Sequence, residues 1–104
     1  MSQPEQYDVV ILGSGAPGKL LSWSLASQGK KTAVIERRYV GGSCPNIACL
    51  PSKNIIRSAQ VRSFTTRAGE FGVDLESAVT DMVGVQARKR AMVEGERQFH
   101  LERY

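Results

Sequence analysis

The stretch YDVVILGSGAPGKLLSWSLASQGKKTAVIERR, Tyr7 to Arg38, reads as strand, tight turn, helix, strand. Val9, Val10, Ile11 and Leu12 form an unbroken apolar run of the kind expected in a parallel strand buried on both faces. Gly13-Ser14-Gly15-Ala16-Pro17-Gly18 follows at once and fits G-x-G-x-x-G. In that pattern Gly13 makes the tight turn, Gly15 lets a pyrophosphate approach the backbone, and Gly18 lets the helix lie close to the strand. Pro17 falls in the first helical turn, where its missing N–H costs little. The helix is expected from about Ala16 to Gln28, with Leu20, Leu21, Trp23 and Leu25 as apolar surface and Gly29 as its stop. Ser22, four residues beyond Gly18, is small enough for close packing on a sheet. Thr32 to Ile35 reads as the second strand. Glu36, at its end, lies eighteen positions after Gly18, near the separation at which a carboxylate bonds a ribose diol. Glycines after a strand, opening a helix and answered by an acid, point to dinucleotide binding; the bland alternative is a βα turn whose glycines serve packing alone. FAD and NAD share an ADP half, so the unit does not distinguish them. Glu36 argues against a 2′-phosphate, while Arg37 and Arg38 beyond it read as exposed loop charges that leave NADP open.

Next comes GGSCPNIACLPSKN, Gly41 to Asn54, which holds both cysteines of the chain, five positions apart. In a regular helix, residues five apart differ by about 140° and roughly 7.5 Å of rise, so their Cα atoms stand about 8.6 Å apart. A disulfide prefers about 4.4–6.8 Å. An undistorted helix therefore forbids a Cys44–Cys49 bond. Pro45 fits only a first turn, and Pro51 disfavours helical geometry at Leu50, so the segment has reasons to bend. A bend joining the sulfurs would make a small, accessible ring suited to reversible exchange. Two unrelated buried cysteines are the competing reading. Zinc would need four ligands, and the only other soft candidate, His100, is remote, so no metal site is expected.

The chain has 104 residues, 41% hydrophobic and 23% charged, which suits one small domain with a thin core. A net charge of +4 comes without zinc-finger spacing, an RNP-like aromatic run or a long basic tract, so no nucleic-acid partner is expected. The start, MSQPEQ, is polar, and Val9 to Leu12 is far too short for a signal peptide or a membrane span. The expected location is the cytoplasm, where a close cysteine pair is catalytic or metal-binding more often than a structural staple.

GSGAPG…AVIERRYVGGSCPNIACLPSKN resembles the N-terminal segment of the FAD-dependent pyridine nucleotide–disulfide oxidoreductases, the family of dihydrolipoamide dehydrogenase, glutathione reductase and mercuric reductase. The likeness is strong from Tyr7 to about Ala59 and fainter beyond, and its core, G-G-[ST]-C-x4-C-x-P-x-K, is specific. The resemblance implies a Rossmann-like α/β fold: a βαβ FAD-binding unit followed by two helices, with an incomplete parallel sheet. It implies that Gly13, Gly15 and Gly18 hold the FAD pyrophosphate, that Glu36 holds the adenosine ribose, and that Gly42 and Ser43 lie along the phosphates. Cys44 would be the interchange thiol, Cys49 the charge-transfer thiolate, and Lys53 a cation near flavin N5. Electrons would pass from NAD(P)H to FAD, to the Cys44/Cys49 disulfide, and then through low-pKa thiolates to a small-molecule disulfide, dithiol or Hg(II) substrate. Pro45 and Ala48 depart from better-known members, and the variant is closest to the mercuric-reductase-like branch.

Pro51 to about Ala68 reads as a helix with Ile55, Ile56, Ala59 and Phe64 facing inward. RAGEFGVDLES has turn composition. A further helix starts near Thr80 or Asp81, either of which can cap it, with Met82, Val85, Met92 and Phe99 as a loose apolar stripe. Arg88-Lys89-Arg90 reads as a solvated face or a contact with further protein. His100, followed by Leu101, does not match the family's His-Pro motif and reads as a surface or helix histidine. With one G-x-G-x-x-G and no nicotinamide-binding or dimerisation domain, residues 1–104 are expected to be the opening part of the FAD-binding domain of a longer, homodimeric protein, inactive alone. The rival readings are an NAD-binding dehydrogenase segment and a non-catalytic nucleotide-binding or redox module.

Overall fold

In the computed structural model, residues 3–104 are described; Met1 and Ser2 of the polar start lie outside them. Strands β1 (Val9–Leu12) and β2 (Thr32–Ile35) pair in parallel, in register from Val9↔Thr32 to Leu12↔Ile35. Gly13 N–H donates to the Ile35 carbonyl at 2.7 Å and carries the pairing past the strand end. Helix α1 (Ala16–Ser27) connects the strands and stops one residue before the expected Gln28. Gly29 N–H donates to the Ala26 carbonyl and Lys30 N–H to the Leu25 carbonyl, the paired bonds of a Schellman stop.

A side chain on Gly18 would put its Cβ 2.0 Å from the Gly13 carbonyl oxygen, so only glycine lets α1 start this close to β1. Ser22, one turn on, is buried as expected. The sheet itself is covered on one face only. Ile11 is buried beneath α1, but Val10 and Leu12 point the other way, Leu12 at 80% exposure. The expectation of a strand buried on both faces is therefore corrected. No other described helix packs on this sheet.

After β2 the chain forms α2 (Ser43–Asn46), α3 (Cys49–Thr66), a 3₁₀ turn at Ala68–Phe71 and α4 (Met82–Leu101). Asp81 caps α4, its carboxylate accepting from Val83 N–H at 3.0 Å, as its position predicted. Helix α3 begins at Cys49 with Leu50 helical, contrary to the constraint expected from Pro51. Pro51 is the third residue of the helix, where no intrahelical N–H bond exists to be lost. Arg97 lies beside Asn46 and Arg88 beside Asn54 and Ser58, so α4 runs antiparallel along α2 and α3. Arg88 stays on the exposed side of α4, as expected, and in addition clamps α3 by donating to the Asn54 carbonyl and the Ser58 hydroxyl.

Ile55, Ile56, Ala59 and Phe64 do not face inward; all four are exposed, because the side of α3 that meets α4 is that of Asn54 and Ser58, and only Phe71 packs edge-on against Phe64. The molecule measures 68 × 29 × 17 Å with a radius of gyration of 20.6 Å. A compact chain of this length would have about 13 Å. Among the described residues the buried hydrophobic core is Ile11 alone.

Candidate functional site

The site is built where β1, β2 and the loop after β2 end together. Its first part is the glycine turn. Gly15 is the N-cap of α1, no side chain caps that helix end, and no acid lies in its first turn. Such an end presents unpaired N–H groups and a positive dipole to an anion. Nothing lies within 4 Å of where a Cβ on Gly13 would sit, and only Pro17 Cδ, at 4.0 Å, neighbours that position on Gly15. The turn is open there to an approaching phosphate.

Ser14 joins this turn to the loop after β2, and it is the most deeply buried side chain described, at 1% exposure. Its hydroxyl donates to Glu36 Oε2 at 2.8 Å, stands 3.2 Å from the Tyr39 carbonyl, and accepts from Gly41 N–H at 3.0 Å. Glu36 Oε2 also accepts from Ser14 N–H at 3.0 Å, while Oε1 accepts from Arg38 N–H at 2.8 Å and Tyr39 N–H at 3.2 Å. Backbone donation from Ser14 and Arg38, then the Ser14 hydroxyl, holds the Glu36 carboxyl down from an ordinary 4.5 to about 2, with burial opposing them and Tyr39 N–H adding least. Four donors fill the roughly four acceptor sites of a carboxylate. Here Glu36 is the pin between glycine turn and loop, a role its expected place at a ribose did not foreshadow.

The second part is the Gly41–Gly42 turn. Gly42 has φ 82°, and a Cβ there would fall 2.7 Å from Gly15 Cα, so the two glycine elements interlock backbone to backbone. Asn46 Nδ2 donates to the carbonyls of Val40 at 2.9 Å and Gly42 at 2.7 Å, and Asn46 Oδ1 accepts from Arg97 Nε at 3.3 Å. Ser43, exposed, opens α2 directly after this turn.

The third part is the cysteine pair. Cys44 lies in α2 and Cys49 opens α3, with the helical path broken between them at Ile47 and Ala48 (φ −119°, ψ −96°). The irregularity expected between the cysteines is present, although it falls before Leu50. Both thiols are free and exposed. They sit together: hydrogen bonding to the Cys49 side chain, then burial, then charge on Cys49, push the Cys44 thiol above its ordinary 9.0, while the Lys53 charge pulls the other way. In this arrangement the neighbouring thiol favours the neutral form of Cys44, and the Lys53 charge favours the thiolate.

Helix α4 closes the site from behind. His100 is a helix residue of α4, as one of its two readings had it, and not a surface one: it is 3% exposed, packed on Gly41. Trp23 Nε1 donates to the Arg103 carbonyl at 3.1 Å, and the Tyr104 hydroxyl donates to the Ser14 carbonyl at 3.0 Å. Burial, then the Glu36 charge, push the Tyr104 phenol up and keep it a donor. Ser14, Asn46 and His100 were not singled out from the sequence as site residues. Ser14 occupies a variable position of the glycine motif, Asn46 one of the cysteine motif, and His100 is remote. Among the described residues no three His, Cys, Asp or Glu side chains cluster as metal ligands, and no helix is long and apolar enough to cross a membrane.

An uncapped helix end behind a glycine turn, interlocked with a second glycine turn that leads into a dithiol, is set on a Rossmann-like α/β unit. Residues 7–103 match the family described as pyridine nucleotide-disulphide oxidoreductase, and the chain belongs to that family. It is 42% identical over 89 residues to dihydrolipoyl dehydrogenase of Bacillus subtilis, covering 86% of this chain and 19% of the relative. Against dihydrolipoyl dehydrogenase of Corynebacterium glutamicum it is 47% identical over 73 residues, 69% of this chain and 16% of the relative. The solved Cu(II) complex of the HOCl-induced flavoprotein disulfide reductase RclA from Escherichia coli superimposes with a TM-score of 0.74 at 31% identity, over 94% of this chain and 19% of that one. The chain thus spans about a fifth of the length of these relatives.

Proposed function

We propose that this chain is the FAD-binding opening portion of a longer, dimeric, NAD(P)H-dependent flavoprotein disulfide oxidoreductase of the cytoplasm. The observation that carries this reading is the seating of Gly42 on Gly15, which starts the segment bearing the two cysteines, α2 and then α3, on the rim of the glycine cradle. The residues present fit the cofactor. Gly13 and Gly15 leave the room its pyrophosphate needs, Gly18 seats the start of α1 against β1 beneath them, Gly42 and Ser43 lie beside them, and Glu36 stands at the end of β2 where the ribose would lie. Ribose binding would require Glu36 to share one of its four present donors. When bound, FAD would supply the two-electron exchange between nicotinamide and the cysteine pair.

The chain's own residues perform the sulfur chemistry. The Cys44 thiolate attacks one sulfur of a small disulfide, forming a mixed disulfide and releasing the first thiol. The Cys49 thiolate then attacks Cys44 Sγ, forming the Cys44–Cys49 bond and releasing the second. The protein is oxidised by two electrons and the substrate reduced by two; the same steps run backwards oxidise a dithiol. Lys53 supplies positive charge beside Cys44. Hg(II) as the acceptor is the alternative the same pair of thiols supports.

The test uses the full-length polypeptide. It is expected to purify yellow, to show a long-wavelength band on two-electron reduction that Cys49→Ser abolishes, and to oxidise NADH or NADPH with lipoamide, glutathione disulfide or Hg(II). A colourless protein that binds NAD would support a simple dehydrogenase instead. A flavoprotein without turnover on any of the three would leave a non-catalytic module.

A further inference from the structure

We propose that His100, held by Lys19, is the positioning residue that keeps the Gly41–Gly42 turn seated on the glycine cradle. His100 Nδ1 lies 2.6 Å from the Glu96 carbonyl, and its Nε2 lies 3.2 Å from Lys19 Nζ. A carbonyl only accepts and an ammonium only donates, so the network assigns the proton to Nδ1 and leaves Nε2 as the acceptor. Both ring nitrogens of a 3% exposed side chain are thereby satisfied, one by α4 itself and one by α1. The face of the ring is the wall behind Gly41: Cδ2, Cγ and Nδ1 lie 3.0–3.1 Å from where a Cβ on Gly41 would sit, and Gly41 has φ 88°. A filler residue would have no need of a cation drawn from another helix. Lys19 follows Gly18 directly and donates its backbone N–H to the Gly15 carbonyl at 2.9 Å, so the lysine that fixes the ring is itself part of the cradle helix. Gly41 in turn donates to Ser14, and Gly42 sits on Gly15 two residues before Cys44. The end of α4 therefore sets the separation of the two glycine elements and, through them, the start of the cysteine segment.

The functional consequence rests on the cradle reading above, but the positioning itself is tested without cofactor. In the full-length polypeptide, His100→Ala is expected to raise hydrogen exchange at the Gly41 and Gly42 amides about tenfold while Val85, at the far end of α4, is unchanged. His100→Gln, which restores an acceptor for Lys19, recovers part of the protection. Lys19→Met acts in the same direction, and the double variant is no worse than His100→Ala because the two residues act as one unit. FAD affinity falls about tenfold in parallel. Unchanged exchange at Gly41 and Gly42, equal acceleration at Val85, or additive effects in the double variant would overturn the proposal. If His100→Ala fails to fold, Lys19→Met carries the same measurement. A wild-type protein that binds no FAD yet shows the exchange pattern would refute the cofactor reading and leave the positioning role standing.

Discussion

Glu36 and Cys44 are both titratable residues of the candidate site, and their neighbours push them in opposite directions. Glu36 gathers N–H and O–H donors that favour its charged form, so its carboxyl lies near 2 in place of 4.5. A lowered folded-state value stabilises the fold fully above 4.5, and that contribution is lost as the pH falls from 4.5 through 2. In denaturant titrations of the full-length protein across this window, Glu36→Gln should remove part of the acid sensitivity of the wild type. An identical acid dependence in the two proteins would show that the four hydrogen bonds carry no linkage. Cys44 faces the reverse balance, since a second thiol beside it favours the neutral form. Cys49→Ala should therefore speed alkylation of Cys44 at a fixed pH below 9.0, and Lys53→Met should slow it, both read by mass spectrometry of the labelled peptide. At Gly18 the constraint is steric. Gly18→Ala places a methyl 2.0 Å from a backbone oxygen and should cost at least about 1–3 kcal/mol in denaturant unfolding, with weaker nucleotide binding.

At the scale of elements, the informative feature is how each helix is started and stopped. Helix α4 carries its own signal in Asp81, and Asp81→Ala should cost about 1 kcal/mol of stability, measured by denaturant midpoint, because Val83 N–H loses its acceptor. Helices α2 and α3 have no capping side chain, and the kink between them comes from the backbone at Ile47 and Ala48. That kink is what lets two cysteines five positions apart share one environment. The clamps across the helices are made by long polar side chains, Arg88 to α3 and Arg97 to Asn46, because the apolar surfaces of α3 and α4 leave much area uncovered.

For the whole molecule, the decisive fact is how little apolar surface is covered. Leu12, Leu20, Ile56, Phe64, Phe71 and Val83 are each more than half exposed, and Ile11 alone forms the buried hydrophobic core among the described residues. Two strands leave both edges of a sheet open, and such a unit gains independent stability only when further strands or helices cover it. Residues 1–104 produced alone are therefore expected to bind a hydrophobic dye and to melt without a sharp cooperative transition. A steep two-state unfolding curve for the isolated segment would show that these faces need no cover.

The local plan was legible in the sequence because short-range signals carry it. An apolar run, three glycines, a helix stop and a terminal acid place β1, α1 and β2 within a residue, and Asp81 marks the start of α4. The glycine cradle and the two cysteines could be found for the same reason, since each depends on spacing along the chain. What surrounds them could not. Ser14 as a hub, the saturation of Glu36, Arg88 as a clamp and the burial of His100 all join residues 22 to 81 positions apart or depend on such joins. The sequence by itself determined which segments become strands and helices and where the backbone must be glycine, because sterics and hydrogen bonding act locally. Only the tertiary structure decided which polar groups meet and which apolar faces stay bare, because those outcomes depend on what the folded chain brings alongside them.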